Sequence, residues 1–203
     1  MKAVIFDLGG VLIDWRPEAL FRKLFEDEEQ LRVFLGTVCT QAWNEKQDAG
    51  RSVADGTDEL ITAYPEHEAA IRAYYTRFDE MLLGPIAGSV ALLERLAQQG
   101  RLRLFALTNW SAETFPLAEA RFSFLERFEG IVVSGREGVK KPDRALYALL
   151  CERYGLVPSE CMFIDDNPLN TQAAQAFGMQ AHPFQSPEAL ESELSRLGLL
   201  DLG

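Results

Sequence analysis

Five short apolar runs stand out along the chain: Ala3 to Phe6, Leu102 to Leu107, Ile131 to Val133, Met162 to Ile164, and a weaker one around Ala181 to Phe184. Runs of this length bounded by charged or turn residues predict buried strands. Between the later ones, apolar residues recur at spacings of three and four, as at Val90, Leu93, Leu96 and Ala97, then at Leu146, Leu149 and Leu150, which predicts helices. Strand and helix therefore alternate. A parallel strand pair needs a long crossover of right-handed sense, so the alternation predicts an α/β fold: a doubly wound parallel sheet with helices on both faces.

The stretch from Trp15 to Leu83 breaks the alternation. It offers no strong strand candidate, and Glu18 to Phe25, Glu29 to Leu35 and Glu66 to Leu82 are helical in composition. A single βα unit does not need so much chain. The expected organisation is a core of residues 1–14 and 84–203 with a helical subdomain of residues 15–83, entered after Asp14 and left at Gly84-Pro85, a pair that breaks regular structure. The tail from Ser186 to Leu197 reads as a closing helix capped by Ser186, with Pro187 at its first position.

Composition narrows the function classes. The 203 residues carry a net charge of −11, which repels phosphodiester backbones and excludes nucleic acid as an expected partner. An anionic ligand must then be drawn in by a local cation or a metal. Cys39, Cys151 and Cys161 lack the paired spacing of metal or redox sites and read as inert, reduced thiols. Charge appears at once in Met-Lys-Ala-Val-Ile-Phe-Asp and no apolar run reaches the length of a membrane span, so a cytoplasmic protein without membrane contact is expected, as monomer or homodimer. His67 and His182 show no ligand spacing.

Candidate chemistry gathers at the strand ends, where doubly wound sheets bind ligands. The first strand ends Ile5-Phe6-Asp7-Leu8-Gly9-Gly10-Val11, the second Leu107-Thr108-Asn109-Trp110, and the fourth Phe163-Ile164-Asp165-Asp166-Asn167. Asp7 is either a turn aspartate or a carboxylate at the sheet rim, beside glycines whose backbone can approach a ligand. Asp165 and Asp166 repel each other and call for a counter-cation. Magnesium fits, because it takes one or two carboxylates and fills its octahedron with water and phosphate; Asp7 and Asp166 supply that minimum, and Asn170 can hold a metal-bound water. The same Asp-Asp-Asn run also suits a helix N-cap ahead of Pro168. In Gly138-Val139-Lys140-Lys141-Pro142-Asp143, one ammonium can point at the rim as a compact positive charge, just before a helix opened by the proline. Thr108 and Asn109 offer polar groups for phosphate oxygens, or ordinary capping.

Taken together and in this order, the four elements resemble the haloacid dehalogenase superfamily over essentially the whole chain. The resemblance implies a Rossmann-like sheet of strand order 3-2-1-4-5 with a helical C1 cap. It also implies that Asp7 is the nucleophile, Thr108 the hydroxyl of the second motif and Lys141 the lysine of the third. Magnesium is then held by the Asp7 carboxylate, the Gly9 carbonyl oxygen and Asp166, with Asp165 and Asn170 in support. The implied reaction is hydrolysis of a small phosphate ester through an aspartyl-phosphate.

One position departs from the family pattern. Its phosphatases usually carry a second aspartate two residues after the nucleophile as general acid and base, and here that residue is Gly9. Because general acid–base catalysis contributes about 10²- to 10⁴-fold, its loss suggests a slow enzyme, a good leaving group or a replacement acid from the cap. The stretch Phe6 to Asp14 resembles bacterial sugar-phosphate phosphatases that share this glycine. Two rivals stand beside this reading. A 2-haloacid dehalogenase would use the same aspartate without metal, but that branch resembles Ser-x-Asn where Asp165-Asp166 stands, and has a hydroxyl residue at the position of Val11. A catalytically impaired binding protein that keeps fold and metal is the other. For substrate contacts, Gly10, Asn109, Trp15, Arg16 and Trp110 are the candidates. The run Ala42 to Arg51 reads either as a cap loop bringing Trp43 or Arg51 to the substrate, or as a helix end with Trp43 buried.

Overall fold

A computed structural model describes residues 1–201 of the chain. Its strands are β1 (Ala3–Phe6), β2 (Ile13–Trp15), β3 (Leu82–Pro85), β4 (Arg103–Thr108), β5 (Gly130–Val133), β6 (Cys161–Asp165) and β7 (Gln180–Pro183). Five of them form one parallel sheet in the order β5-β4-β1-β6-β7. Counted along the core alone, that order is 3-2-1-4-5, as expected.

Alternation along the strands explains why both faces are covered. Val4, Phe6, Leu104, Ala106, Met162 and Ile164 point to one face, where Leu92, Leu93 and Leu96 of the helix Ala87–Gln99 and Leu190 and Leu194 of the helix Pro187–Arg196 cover them. Ala3, Ile5, Phe105, Leu107 and Phe163 point to the other, against Leu146, Tyr147 and Leu150 of the helix Arg144–Tyr154. Phe6, Phe105 and Phe163 are fully buried, and burial of such a side chain stabilises by roughly 1.5–3 kcal/mol. The closing helix begins as its sequence suggests, with the Ser186 hydroxyl accepting from the Ala189 N–H at 3.2 Å. The helix after Lys141 opens two positions later than expected: Pro142 does not start it, and Asp143 caps it ahead of Arg144 by accepting from the Ala145 N–H at 2.8 Å. Cys39, Cys151 and Cys161 are buried free thiols, and burial pushes Cys39 up to about 12. Among the described residues, no helix is long and apolar enough to cross a membrane.

Between β2 and β3 run the helices Pro17–Phe21, Glu28–Thr37, Gln41–Asp48, Val53–Ala63 and Glu68–Thr76. Phe21, Phe34 and Tyr74 pack their rings at 5.0 and 5.9 Å, and Trp43 meets Tyr74 at 5.1 Å. The boundaries of this segment differ from expectation. Asp14 and Gly84-Pro85 are not plain breaks; β2 and β3 pair antiparallel there, with Ile13 opposite Pro85 and Asp14 opposite Gly84. Strands of three and four residues are too short to print an alternating pattern, and Pro85 is tolerated because a two-stranded ribbon leaves edges that need no N–H.

Candidate active site

The site begins with register. Phe6 is level with Ala106 on β4 and with Ile164 on β6, so the next residue on each strand, Leu107, Asp7 and Asp165, stands side by side at the carboxyl edge. Lys141 reaches across all three. Its ammonium donates to the Leu107 carbonyl at 2.8 Å and to Asp165 Oδ2 at 2.7 Å, and stands 2.9 Å from Asp7 Oδ2. The lysine is only 1% exposed, so its three protons have these three partners in place of water. Asn109 holds the lysine's backbone from both sides, accepting from the Lys141 N–H at 2.8 Å and donating to its carbonyl at 3.0 Å.

The acidic side is equally ordered. Asp7 Oδ1 accepts from the Leu8 N–H at 2.7 Å. Asp165 accepts from Lys141, from the Asn167 N–H at 2.8 Å, and from Asn170 Nδ2, which lies 3.1 Å from each of its oxygens. Asp166 is left open to the cavity. Carboxylate oxygens of Asp7, Asp165 and Asp166 lie within 4.8 Å of one another. The capping alternative for this run also holds, through a different atom: the Asn167 side chain accepts from the Leu169 N–H at 2.9 Å and starts the helix Pro168–Phe177.

Electrostatics follow from this crowding. Burial, reinforced by Asp165 and Asp166, pushes the Asp7 carboxyl up to about 8 against the opposing pull of Lys141. Partial burial and the neighbouring Asp165 also raise Asp166. Burial works against the charge of Lys141, but Asp7 and Asp165 outweigh it and hold the ammonium above its ordinary value. Three carboxylates against one ammonium leave negative charge in excess, which suits a divalent cation. The buried Asn170 Oδ1 has no hydrogen-bond partner and lines the same cavity, an acceptor free for a metal-bound water.

Gly10 shows why the turn is built as it is. Its φ of +74° is left-handed, and a Cβ there would come within 2.2 Å of Asp166 Oδ2. Gly10→Ala therefore costs about 1–2 kcal/mol of backbone strain and displaces Asp166 as well. Since a shift of about 1 Å in a reacting group can cost 10²-fold, turnover should fall by about that factor while the melting temperature drops only a few degrees. Steady-state kinetics and a thermal melt check both halves.

A family model described as haloacid dehalogenase-like hydrolase matches residues 1–178. The chain belongs to this hydrolase family. It is 31% identical over 179 residues to the sesquiterpene phosphatase astK of Aspergillus oryzae, covering 88% of this chain and 87% of that one. It is 26% identical over 213 residues to the (S)-2-haloacid dehalogenase of Xanthobacter autotrophicus, covering 96% and 79%. An HAD family enzyme of Bacteroides thetaiotaomicron, solved in complex with magnesium and inorganic phosphate, shares the fold with a TM-score of 0.71 at 18% identity, over 92% of this chain and 95% of that one.

In this member of the haloacid dehalogenase-like hydrolases, the acids open on a cavity of about 270 Å³. Asp7, Gly9, Gly10, Asp166 and Asn170 line it, as do Trp15, Asn109 and Trp110. Thr108 does not; it is buried at the end of β4. Nor does Arg16, whose guanidinium pairs with the nearby carboxylate of Asp14 at 2.7 Å and stays largely in solvent. The Asn109 side chain is committed to Lys141 rather than free for substrate.

The far wall was missed in the sequence. Of the two readings of Ala42 to Arg51, the helix end with Trp43 buried is the one formed, the indole donating from Nε1 to the Gly56 carbonyl at 2.9 Å. Arg51 is occupied by Gln47 and Glu59. The residues that face the cavity are Gln41, Asn44, Glu45 and Asp48, joined by Phe78. Their positions i, i+3, i+4 and i+7 make one polar stripe on a helix, a signal that was present but runs opposite to the usual apolar stripe.

Proposed function

We propose that this hydrolase is a magnesium-dependent phosphatase of small phosphate monoesters, with Asp7 as nucleophile. The observation that carries the reading is the convergence of Asp7, Asp165 and Asp166 within 4.8 Å around a buried lysine. Asp7, Asp166 and the Gly9 carbonyl, with Asp165 and Asn170 in support, would hold magnesium, which would supply positive charge to balance the carboxylates and the phosphate oxygens.

The protein's own groups do the rest. The Leu8 N–H and Lys141 fix the Asp7 carboxylate by an oxygen each, so its orientation is set before substrate arrives. Attack of Asp7 on phosphorus gives an aspartyl-phosphate and frees the alcohol; water then cleaves the acyl phosphate. Lys141 offsets charge on the nucleophile throughout. Residues 15–83 act as a cap over the reacting centre, and Trp15 and Trp110 hold the alcohol portion. The Trp15 indole N–H is buried without a partner and lines the cavity, a donor available to a substrate oxygen. A cavity of about 270 Å³ lined by two tryptophans and the amides of Gln41 and Asn44 suits a small hydroxylated ester such as a sugar phosphate.

A 2-haloacid fits less well. It carries a carboxylate of its own, and among the described residues the cavity lining presents Asp7, Glu45, Asp48 and Asp166 but no Lys or Arg. The test is release of phosphate from 4-nitrophenyl phosphate and from hexose phosphates, and of chloride from 2-chloropropionate, each with magnesium and with chelator. Phosphate release should fall at least about 100-fold with chelator. Chloride release indifferent to chelator would show the dehalogenase instead, and no turnover at all a binding protein.

A further inference from the structure

With Gly9 where the family's phosphatases usually carry an acid, a Cβ at that position would meet nothing within 4 Å. The space beside the nucleophile is open, and the proton donor must come from elsewhere. Two other carboxyls line the cavity from the opposite wall, Glu45 and Asp48, both on the helix Gln41–Asp48. They are not equivalent. Glu45 is paired with Lys140 at 3.1 Å. Asp48 is 7% exposed, and among the described residues no cation pairs with it.

Its surroundings hold the carboxyl in one orientation. The Tyr75 hydroxyl donates to Asn44 Oδ1 at 2.8 Å and itself accepts from Gln47 Nε2 at 2.9 Å. The Asn44 amide must then turn its NH₂ outward, and it donates to Asp48 Oδ2 at 3.1 Å. Oδ2 accepts from this amide, and the Ser111 backbone also faces the carboxyl, so its orientation toward the cavity is fixed. The residue is also anchored to the sheet: the Ser134 hydroxyl, at the end of β5, donates to the Asp48 carbonyl at 2.5 Å and accepts from the Trp110 N–H at 3.0 Å.

We infer that Asp48 is the general acid and base of this site, supplied from the helical segment in place of the residue missing at Gly9. The assignment rests on the phosphatase reading above. In the first step, protonated Asp48 gives its proton to the bridging ester oxygen as the bond from that oxygen to phosphorus breaks and the bond from Asp7 to phosphorus forms. The products are the alcohol, the aspartyl-phosphate and the Asp48 carboxylate. In the second, that carboxylate takes a proton from water as the water oxygen attacks phosphorus and the bond to Asp7 breaks, which releases phosphate and restores both residues.

The proton balance of the group suits both duties. Burial pushes the Asp48 carboxyl up to about 7, Glu45 on the same helix adds to the rise, and Lys140 and the Ser111 backbone oppose it. Tyr74 and Tyr75, packed from the helix Glu68–Thr76, stay neutral because burial raises both. At neutral pH the group is thus poised to give or take a proton.

The test compares Asp48→Asn with wild type, both loaded with magnesium, on two esters: glycerol phosphate, whose alkoxide is a poor leaving group, and 4-nitrophenyl phosphate, whose phenolate is a good one. kcat/KM reports the step through transfer to Asp7. It should fall about 10²- to 10⁴-fold for glycerol phosphate and under about 10-fold for the aryl ester. Equal losses on both esters, or none on either, overturn the role of Asp48 alone. Wild-type protein that releases phosphate from neither ester overturns the phosphatase reading and the role with it. A second readout needs no turnover. The folded-state value is raised, so the stability that the protonated form confers is lost as pH rises toward about 7, and Asp48→Asn escapes that loss. Its melting temperature should match wild type near pH 4 and exceed it increasingly up to pH 8; a difference constant with pH overturns the assignment.

Discussion

Asp7→Asn should abolish phosphate release while leaving the protein as stable as wild type, or more so. The amide keeps the shape of the carboxylate and can still accept from the Leu8 N–H. It is no nucleophile, and loss of a covalent nucleophile costs roughly 10⁶-fold, which puts turnover at the detection floor. Stability moves the other way because the cluster holds more negative charge than Lys141 offsets. Burial, with Asp165 and Asp166 beside it, pushes Asp7 up to about 8 against the pull of Lys141, so folding works against its ionisation. Removing that charge leaves Lys141 paired with Asp165 at 2.7 Å and relieves repulsion on Asp166. A phosphate-release assay beside a thermal melt decides it. Residual turnover above about one part in 10³ would sink Asp7 as the nucleophile.

Lys141→Met has the opposite stability signature. Methionine fills much of the same volume but strands the carboxylates that the ammonium bridged, the fully buried Asp165 and the largely buried Asp7. Breaking a buried pair this way costs about 3–5 kcal/mol. At about 2–4 °C per kcal/mol for a chain of this size, the melting temperature should fall by roughly 6–20 °C. Activity should fall by about 10²- to 10³-fold or more, the scale of removing one electrostatic contact to the reacting group. The deficit also depends on pH. Without the lysine, Asp7 is raised further, so the folded state regains stability as pH falls and the carboxyl protonates. Melts at pH 5 and pH 8 should show the smaller loss at pH 5. A loss equal at both would mean that packing, not charge, was removed.

The core of this site is written locally in the sequence. Asp7 and Asp165 each close a short apolar run, and parallel register alone brings such residues side by side, so reading the strand ends was enough to find them. The lysine was half legible. Lys140 and Lys141 are adjacent and chemically alike, and only the packed loop distinguishes the buried one from the one that pairs with Glu45. The opposite wall was harder. Which side of the helix Gln41–Asp48 meets the sheet depends on how the helix docks, and that docking rests on contacts distant in sequence, such as Ser134 with Asp48 and Glu113 with the Val53 N–H at 2.7 Å. Arg16 shows a related effect: its neighbour Asp14 pairs with it locally, and the arginine lies outside the cavity lining.

The pairing of β2 with β3 has a wider consequence. Because Asp14 and Gly84 stand opposite each other, the chain leaves the sheet and returns to it at nearly one spot. Closing a loop costs only about 0.6 kcal/mol more for each doubling of its length, so the excursion between these residues can be lengthened, shortened or rebuilt at little thermodynamic expense. Such remodelling would alter the shape offered to the alcohol half of a substrate and leave the acidic cluster untouched. A protein wired this way can diversify what it accepts without relearning how it cuts.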